Sequence, residues 1–227
     1  MRSYRQYCAL AKALDVIGDR WTLLIVRELL IRGSCRYTDL RKGLPGIATN
    51  LLAERLRELE QAGILRREAA LPPVATDLFR LTPRGAELEP VVHQIGRWGG
   101  PLLVKPDRKD SFCTHWLALP AKLLLGDRTP NRPPVMMELR TGDEPLIIEI
   151  IDGAVRTRSG SAEHPDVVLT GEPQVIVGLL AGSLDLDQAR SAGLTYDGDP
   201  AILRRAQSCR ATKRGVRVRK RGLHPCP

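Results

Sequence analysis

Apolar residues in the first hundred positions recur every three or four residues, the signature of amphipathic helices. Leu10, Ala13, Leu14 and Ile17 predict a helix over Cys8–Ile17, broken at Gly18-Asp19. Trp21, Leu24, Ile25 and Leu29 predict a second over Trp21–Ile31, with aliphatic residues on more than one side and Gly33 at its end. Tyr37–Lys42 reads as a short third helix, with Leu40 inward and Arg41 and Lys42 outward. The turn Gly43-Leu44-Pro45-Gly46 then leads into a fourth helix, Ala48–Ala62. At about 100° per residue, Ala48, Leu52, Leu56, Leu59 and Gly63 of that stretch share a narrow arc. Asn50, Glu54, Arg57 and Gln61 point the other way, with Thr49 and Ala53 on the flank.

A short helix, a tight glycine turn and a helix opening on small polar residues have the order of a helix-turn-helix. Ile64–Glu68 and Leu78–Leu81 read as strands around the loop 69–77, a hairpin wing on that helical base. Thr82-Pro83 supplies an N-cap and a first-turn proline. The helix they open runs through Ala86, Leu88, Val91, Val92 and Ile95 to Trp98 and stops at Gly99-Gly100-Pro101.

Beyond residue 106 the pattern changes to apolar runs. His115–Leu125 predicts a helix, and Val135–Leu139, Leu146–Ile151 and Ala154–Arg158 predict strands, the last two joined at Asp152-Gly153. Val167–Thr170 and Leu194–Asp197 are further strands; Pro173–Ala181 and Pro200–Ala206 are helices. The fold class expected is α+β: a winged helix over 1–106, an α+β domain over 107–207, and a tail over 208–227 without apolar periodicity.

Charge divides along the same boundaries. Residues 1–106 carry 17 Lys/Arg against 11 Asp/Glu, 107–207 carry 11 against 15, and 208–227 carry 7 against none. A basic front suits a polyanion partner, while the acidic middle is repelled by phosphate and must have another task. Only nine aromatics (3 Trp, 4 Tyr, 2 Phe) occur, which argues against a partner whose single-stranded bases stack on aromatic rings. Aliphatic runs such as Leu23–Val26 are far too short to span a bilayer, and the N-terminus lacks the apolar core of a signal peptide. Five cysteines without CxxC or zinc spacing imply neither a disulfide framework nor a metal site. A cytoplasmic protein without cofactor or membrane partner is expected.

The segments ALDVIGDRWTLLIVRELL, RYTDLRKGLPGIATNLLAERLRELEQAGILRR and FRLTPRGAELEPVV resemble the HxlR-type winged-helix transcriptional regulators over about residues 7–100. The resemblance implies a DNA-binding homodimer joined largely through terminal helices, here the helix around Leu10 and Leu14 and the helix Ala86–Trp98. Tyr37 stands where the family more often has Phe. Cys8 matches the position of an N-terminal cysteine that some members use as a redox or electrophile sensor. Its place near a helix start, with Arg5 and Lys12 close by, would favour a thiolate. Cys35 is the weaker candidate.

On this reading Thr49 and Asn50 reach base edges from the start of the fourth helix, Ala53 lies beside them, and Arg57 contacts base or phosphate. Arg36, Thr38, Arg41 and Lys42 hold phosphate along the groove. The pieces DVVLTGEPQVIVGLLAG and GLTYDGDPAILRRA look like the C-terminal half of sterol-carrier-protein-type domains, which often enclose an apolar tunnel. That likeness implies a lipophilic small-molecule effector, walled by Val135–Leu139, Leu146–Ile151 and Val175–Leu180. The same residues could equally fill a core.

An enzyme is not expected. His93, His115, His164 and His224 belong to no recognisable metal or nucleophile motif, and neither a P-loop nor a dinucleotide-binding glycine pattern occurs. The competing function is a lipid or small-molecule carrier with a helical adaptor; a third reading is a thiol-based regulator acting through Cys8.

Overall fold

The computed structural model describes residues 3–69, 76–104, 110–127, 131–142 and 144–207; the basic tail lies outside them. The first region runs α1 (Ala9–Ile17), α2 (Thr22–Arg32), β1 (Ser34–Arg36), α3 (Tyr37–Lys42), α4 (Thr49–Gln61), β2 (Leu65–Ala69), β3 (Asp77–Leu81), α5 (Pro83–Ala86) and α6 (Glu89–Gly99). Leu52, Leu56 and Leu59 point α4 into a core shared with Ile25, Val26 and Leu29 of α2, Leu40 of α3 and Phe79 of β3. Ala48 and Gly63, expected on the same arc, sit beyond the helix ends and are exposed.

Two features depart from the expected pattern. β1 is three residues long and pairs antiparallel with β3, Cys35 opposite Phe79, giving the sheet order β1-β3-β2. The helix expected from Thr82 to Trp98 is divided into α5 and α6. Pro90 has no amide hydrogen for the Ala86 carbonyl, so a helix crossing that point would lose a bond; in the first turn of α6 the proline is tolerated. Thr82 caps α5 as expected, its hydroxyl accepting from the Gly85 amide at 3.1 Å.

The second region opens on a 3₁₀ turn, Thr114–Leu117, followed by α7 (Ala118–Leu124). The helix expected over His115–Leu125 is not α-helical throughout because the Pro120 ring would meet the carbonyl four residues earlier, at Trp116. Then follow β4 (Val135–Arg140), β5 (Leu146–Ile151), β6 (Ala154–Ser159), β7 (Val167–Thr170), α8 (Pro173–Ala181), α9 (Leu186–Ser191), β8 (Thr195–Gly198) and α10 (Pro200–Ala206). The strand order is β6-β5-β4-β7-β8, with β4 and β7 parallel and the other pairs antiparallel. α9 was not expected from periodicity. Asp185 and Gln188 form a reciprocal capping box at its start, a spacing that could have revealed it.

Val135, Met137 and Leu139 of β4 alternate toward the same core as Leu146, Ile148 and Ile150 of β5, where they meet Val175, Ile176, Leu179 and Leu180 of α8. The side chains expected to wall an apolar cavity therefore pack into one core. The two regions are joined by packing. Ile31 of α2 lies against the second core, Leu119 of α7 lies against the first, and Gly96 of α6 makes room for Leu119 and Leu123.

Candidate nucleic-acid interface

Local bonds fix α3 against α4. The Arg36 amide donates to the Asp39 carboxylate at 3.0 Å, starting α3. The Tyr37 hydroxyl crosses the motif and donates to the Thr49 carbonyl at 2.7 Å. Between the helices, Gly46 takes φ 85°, a conformation that favours glycine, and the Ile47 amide closes the turn on the Leu44 carbonyl at 3.1 Å. Arg36, Thr38, Arg41, Lys42, Thr49, Asn50 and Arg57 are exposed on these two helices, while Ala53 is half-buried. The Arg57 Nε donates to the Ala53 carbonyl at 3.3 Å, which lays its guanidinium along α4.

Two of the three acidic residues of α4 border a neighbouring cleft. Glu54 and Glu58 line a cleft of about 560 Å³ with Asp15, Asp19 and Arg55, between α4 and the N-terminal segment. Arg55 is paired with both Asp19 and Glu58. Three basic residues not singled out from the sequence stand on the wing: Arg66, Arg67 and Arg80, all exposed and paired with Glu68, Glu60 or Asp77. Exposed pairs of this kind contribute only about 0–1 kcal/mol, so these guanidinia can turn to phosphate at little cost. The arginines flanking both sides of the hairpin were the sequence signal.

Beneath the motif lies a buried carboxylate that the sequence reading did not identify. Glu28 is fully buried. Its Oε1 accepts from Arg27 Nη2 at 2.7 Å and Trp116 Nε1 at 2.9 Å, and its Oε2 lies 2.7 Å from His115 Nε2. Burial pushes the Glu28 pKa up, but the His115 hydrogen bond and the Arg27 charge outweigh it and hold the group below its ordinary value. Arg32 Nη2 lies 3.1 Å from His115 Nδ1. A guanidinium only donates, so at this contact Nδ1 is the acceptor, and Nε2 is the ring nitrogen that faces the carboxylate as donor.

The cysteines separate sharply. Cys8 is exposed at the N-cap of α1, and the amides of Ala11 and Leu10 lower its thiol pKa. Cys35 is buried, and desolvation raises its pKa to about 12. Apolar side chains also stand open on two helices: Leu10 and Leu14 on α1, and Val91, Ile95 and Trp98 on α6, with Trp98 76% exposed. Among the described residues no group of three or more His, Cys, Asp or Glu could hold a metal ion, and no helix is long and apolar enough to cross a membrane.

The chain has relatives in sequence. The HxlR-like helix-turn-helix family model matches residues 16–106. The HTH-type transcriptional regulator YvaP of Bacillus subtilis is 36% identical over 87 residues, spanning 38% of this chain and 80% of YvaP. The chain belongs to the HxlR-like helix-turn-helix family. YodB, another B. subtilis HTH-type transcriptional regulator, is 32% identical over 101 residues, 44% of this chain and 80% of YodB. The solved structure of the redox regulator HypR in its reduced form aligns at 33% identity, covering 41% of this chain and 92% of HypR, with a TM-score of 0.39. The protein is thus a DNA-binding helix-turn-helix transcriptional regulator, and residues 107–207 extend beyond the matched family segment.

Proposed function

We propose that the protein binds a near-palindromic operator in double-stranded DNA as a twofold homodimer, with α4 of each copy in the major groove. The observation that carries this reading is the exposed start of α4, Thr49 and Asn50, flanked by Arg36, Thr38, Arg41 and Lys42. Asn50 is suited to pair with adenine, worth about 1–3 kcal/mol of discrimination, whereas the cations bind any phosphate. Ala53 contributes apolar contact to the groove, and Arg57 reaches base or phosphate one to two turns further along. The open apolar faces of α1 and α6 support the dimer, since each would gain by burial against a second copy. Such a protein works in the cytoplasm on the chromosome.

The test is fluorescence anisotropy on a duplex from upstream of its own gene and on a shuffled duplex, across a salt series. Lys42→Ala should weaken both duplexes alike and reduce the salt slope by about one. Asn50→Ala should erase most of the difference between them. An unchanged preference in Asn50→Ala, or a monomer by sedimentation at micromolar concentration, overturns the corresponding part.

The second region reads as a sterol-carrier-like, effector-binding domain; its sheet with helices packed on one face supports this. With its aliphatic residues committed to the core, one place offered to a small molecule is a cleft of about 250 Å³ between Ile31, Arg32, Ser34 and Asp39 of the first region and Leu146, Thr157, Arg158 and Ser159 of the second. A ligand there alters DNA affinity only by favouring one arrangement of the two regions. One further input is favoured by a specific observation: the exposed, amide-stabilised thiol of Cys8 has the character of a redox-sensing cysteine.

A further inference from the structure

The carboxylate of Glu28 touches both regions and the helix-turn-helix turn. From the second region come two donors, the Nε2–H of His115 and the Nε1–H of Trp116. From α2 comes Arg27, whose Nε and Nη2 both reach Glu28 Oε1, at 3.0 and 2.7 Å. The same Arg27 Nη2 donates to the Gly43 carbonyl at 3.1 Å, and Gly43 ends α3. The Arg27 guanidinium lies 4.4 Å from the centre of the Trp116 ring, so the indole holds its face while the carboxylate holds its edge. Gly43 has an ordinary φ of −77° and is glycine for space: a Cβ there would lie 2.0 Å from Glu28 Oε2. The end of α3 is therefore seated directly on the buried carboxylate.

We propose that His115 and Trp116 are positioning residues for DNA recognition, acting from outside the winged helix. By completing the hydrogen bonds of Glu28 they hold Arg27 against the Gly43 carbonyl, and Arg27 fixes the turn that aims α4. A buried carboxylate short of donors draws on those that remain, or on water. Without His115 and Trp116, Arg27 is recruited away from Gly43 and the angle between α3 and α4 loosens. The winged helix then depends on the second region for its binding geometry, and this consequence rests on the DNA-binding reading above.

The experiment uses the full chain and compares His115→Phe, Trp116→Phe and His115→Gln with the parent protein. Gln can donate to Glu28 and accept from Arg32 as the imidazole does at these two contacts, whereas Phe fills the space and does neither. Two measurements are made on each: affinity for the upstream duplex by anisotropy, and hydrogen exchange at the Gly43 and Ile47 amides. Expected is a loss of about tenfold in affinity for His115→Phe, the scale of one charge-assisted hydrogen bond, with faster exchange at both amides. His115→Gln should restore both, and Trp116→Phe should fall in the same direction. Parent-like affinity and exchange in both Phe variants overturn the proposal, as does a His115→Gln variant no better than His115→Phe. If the parent binds neither duplex while exchange in the turn still responds, the DNA-binding reading fails and the positioning of the turn stands.

Discussion

Leu10 on α1 and Trp98 on α6 stand open to solvent, whereas Ile148 on β5 and Leu169 on β7, no more apolar, are sealed in the core of the second region. Both sets obey the periodicity of their elements. The first region keeps apolar faces and a row of cations on its outside; the second spends its apolar residues on itself and carries excess acid. Periodicity tells which residues share a face, and exposure tells whether that face is meant for the chain's own core. Under the dimer proposed above, those open faces are the ones a second copy would cover.

If the open faces of the first region reflected loose packing, its interior would be accessible as well. The two cysteines test this with the largest expected effect. Cys35, with a pKa of about 12, holds almost no thiolate near pH 8, while Cys8 lies below the ordinary thiol value. Iodoacetamide should therefore modify Cys8 at least about a thousandfold faster than Cys35, read by mass spectrometry of the peptides. Comparable rates would mean that the first core opens readily and that the contrast between the regions is one of stability.

The next test sharpens the contrast from both sides. Ile148→Ala removes a fully buried side chain and should cost about 2–5 kcal/mol in urea denaturation. Leu10→Ala should change stability by no more than about 0.5 kcal/mol, as an exposed position does, while weakening self-association in sedimentation. A large stability loss at Leu10 would show that α1 is packed inward after all.

The smallest effect is at acid pH, where the regions meet. The pKa of Glu28 is held below its ordinary value of 4.5, so its ionised form stabilises the folded chain above that value. This contribution should be lost as pH falls below 4.5 through the folded-state value. Denaturation midpoints for the parent and Glu28→Gln should converge over that window; a difference independent of pH would mean that its charge plays no part.

Much of this fold was legible because long amphipathic segments write it plainly. The bounds of α3, α8 and α10 follow from apolar spacing, glycine and proline, and the exposed face of α4 follows from its leucines. β1 was not legible, since three residues are too few to show an alternation and its pairing is with a strand more than forty positions away. The break between α5 and α6 was written in Pro90, which was outweighed by the apolar repeat around it. Within the candidate interface, the cations of α3 and the small polar residues of α4 could be read from the chain. Glu28 could not be placed. A lone carboxylate in the aliphatic run of α2 was the available signal, but its partners His115 and Trp116 are 87 and 88 positions distant and reach it only through tertiary packing.

That separation also sets an order of events during synthesis. At about 5–20 residues per second, the ribosome delivers His115 some 4–17 seconds after Glu28. The winged helix itself is complete only when Gly99 ends α6. Between that point and the arrival of His115, Glu28 has Arg27 and Arg32 beside it but neither the imidazole nor the indole, so that water must complete its shell. Docking of the Thr114–Leu117 turn expels that water. The winged helix thus emerges with one end of its core still wet, and the arrival of the second region dries it.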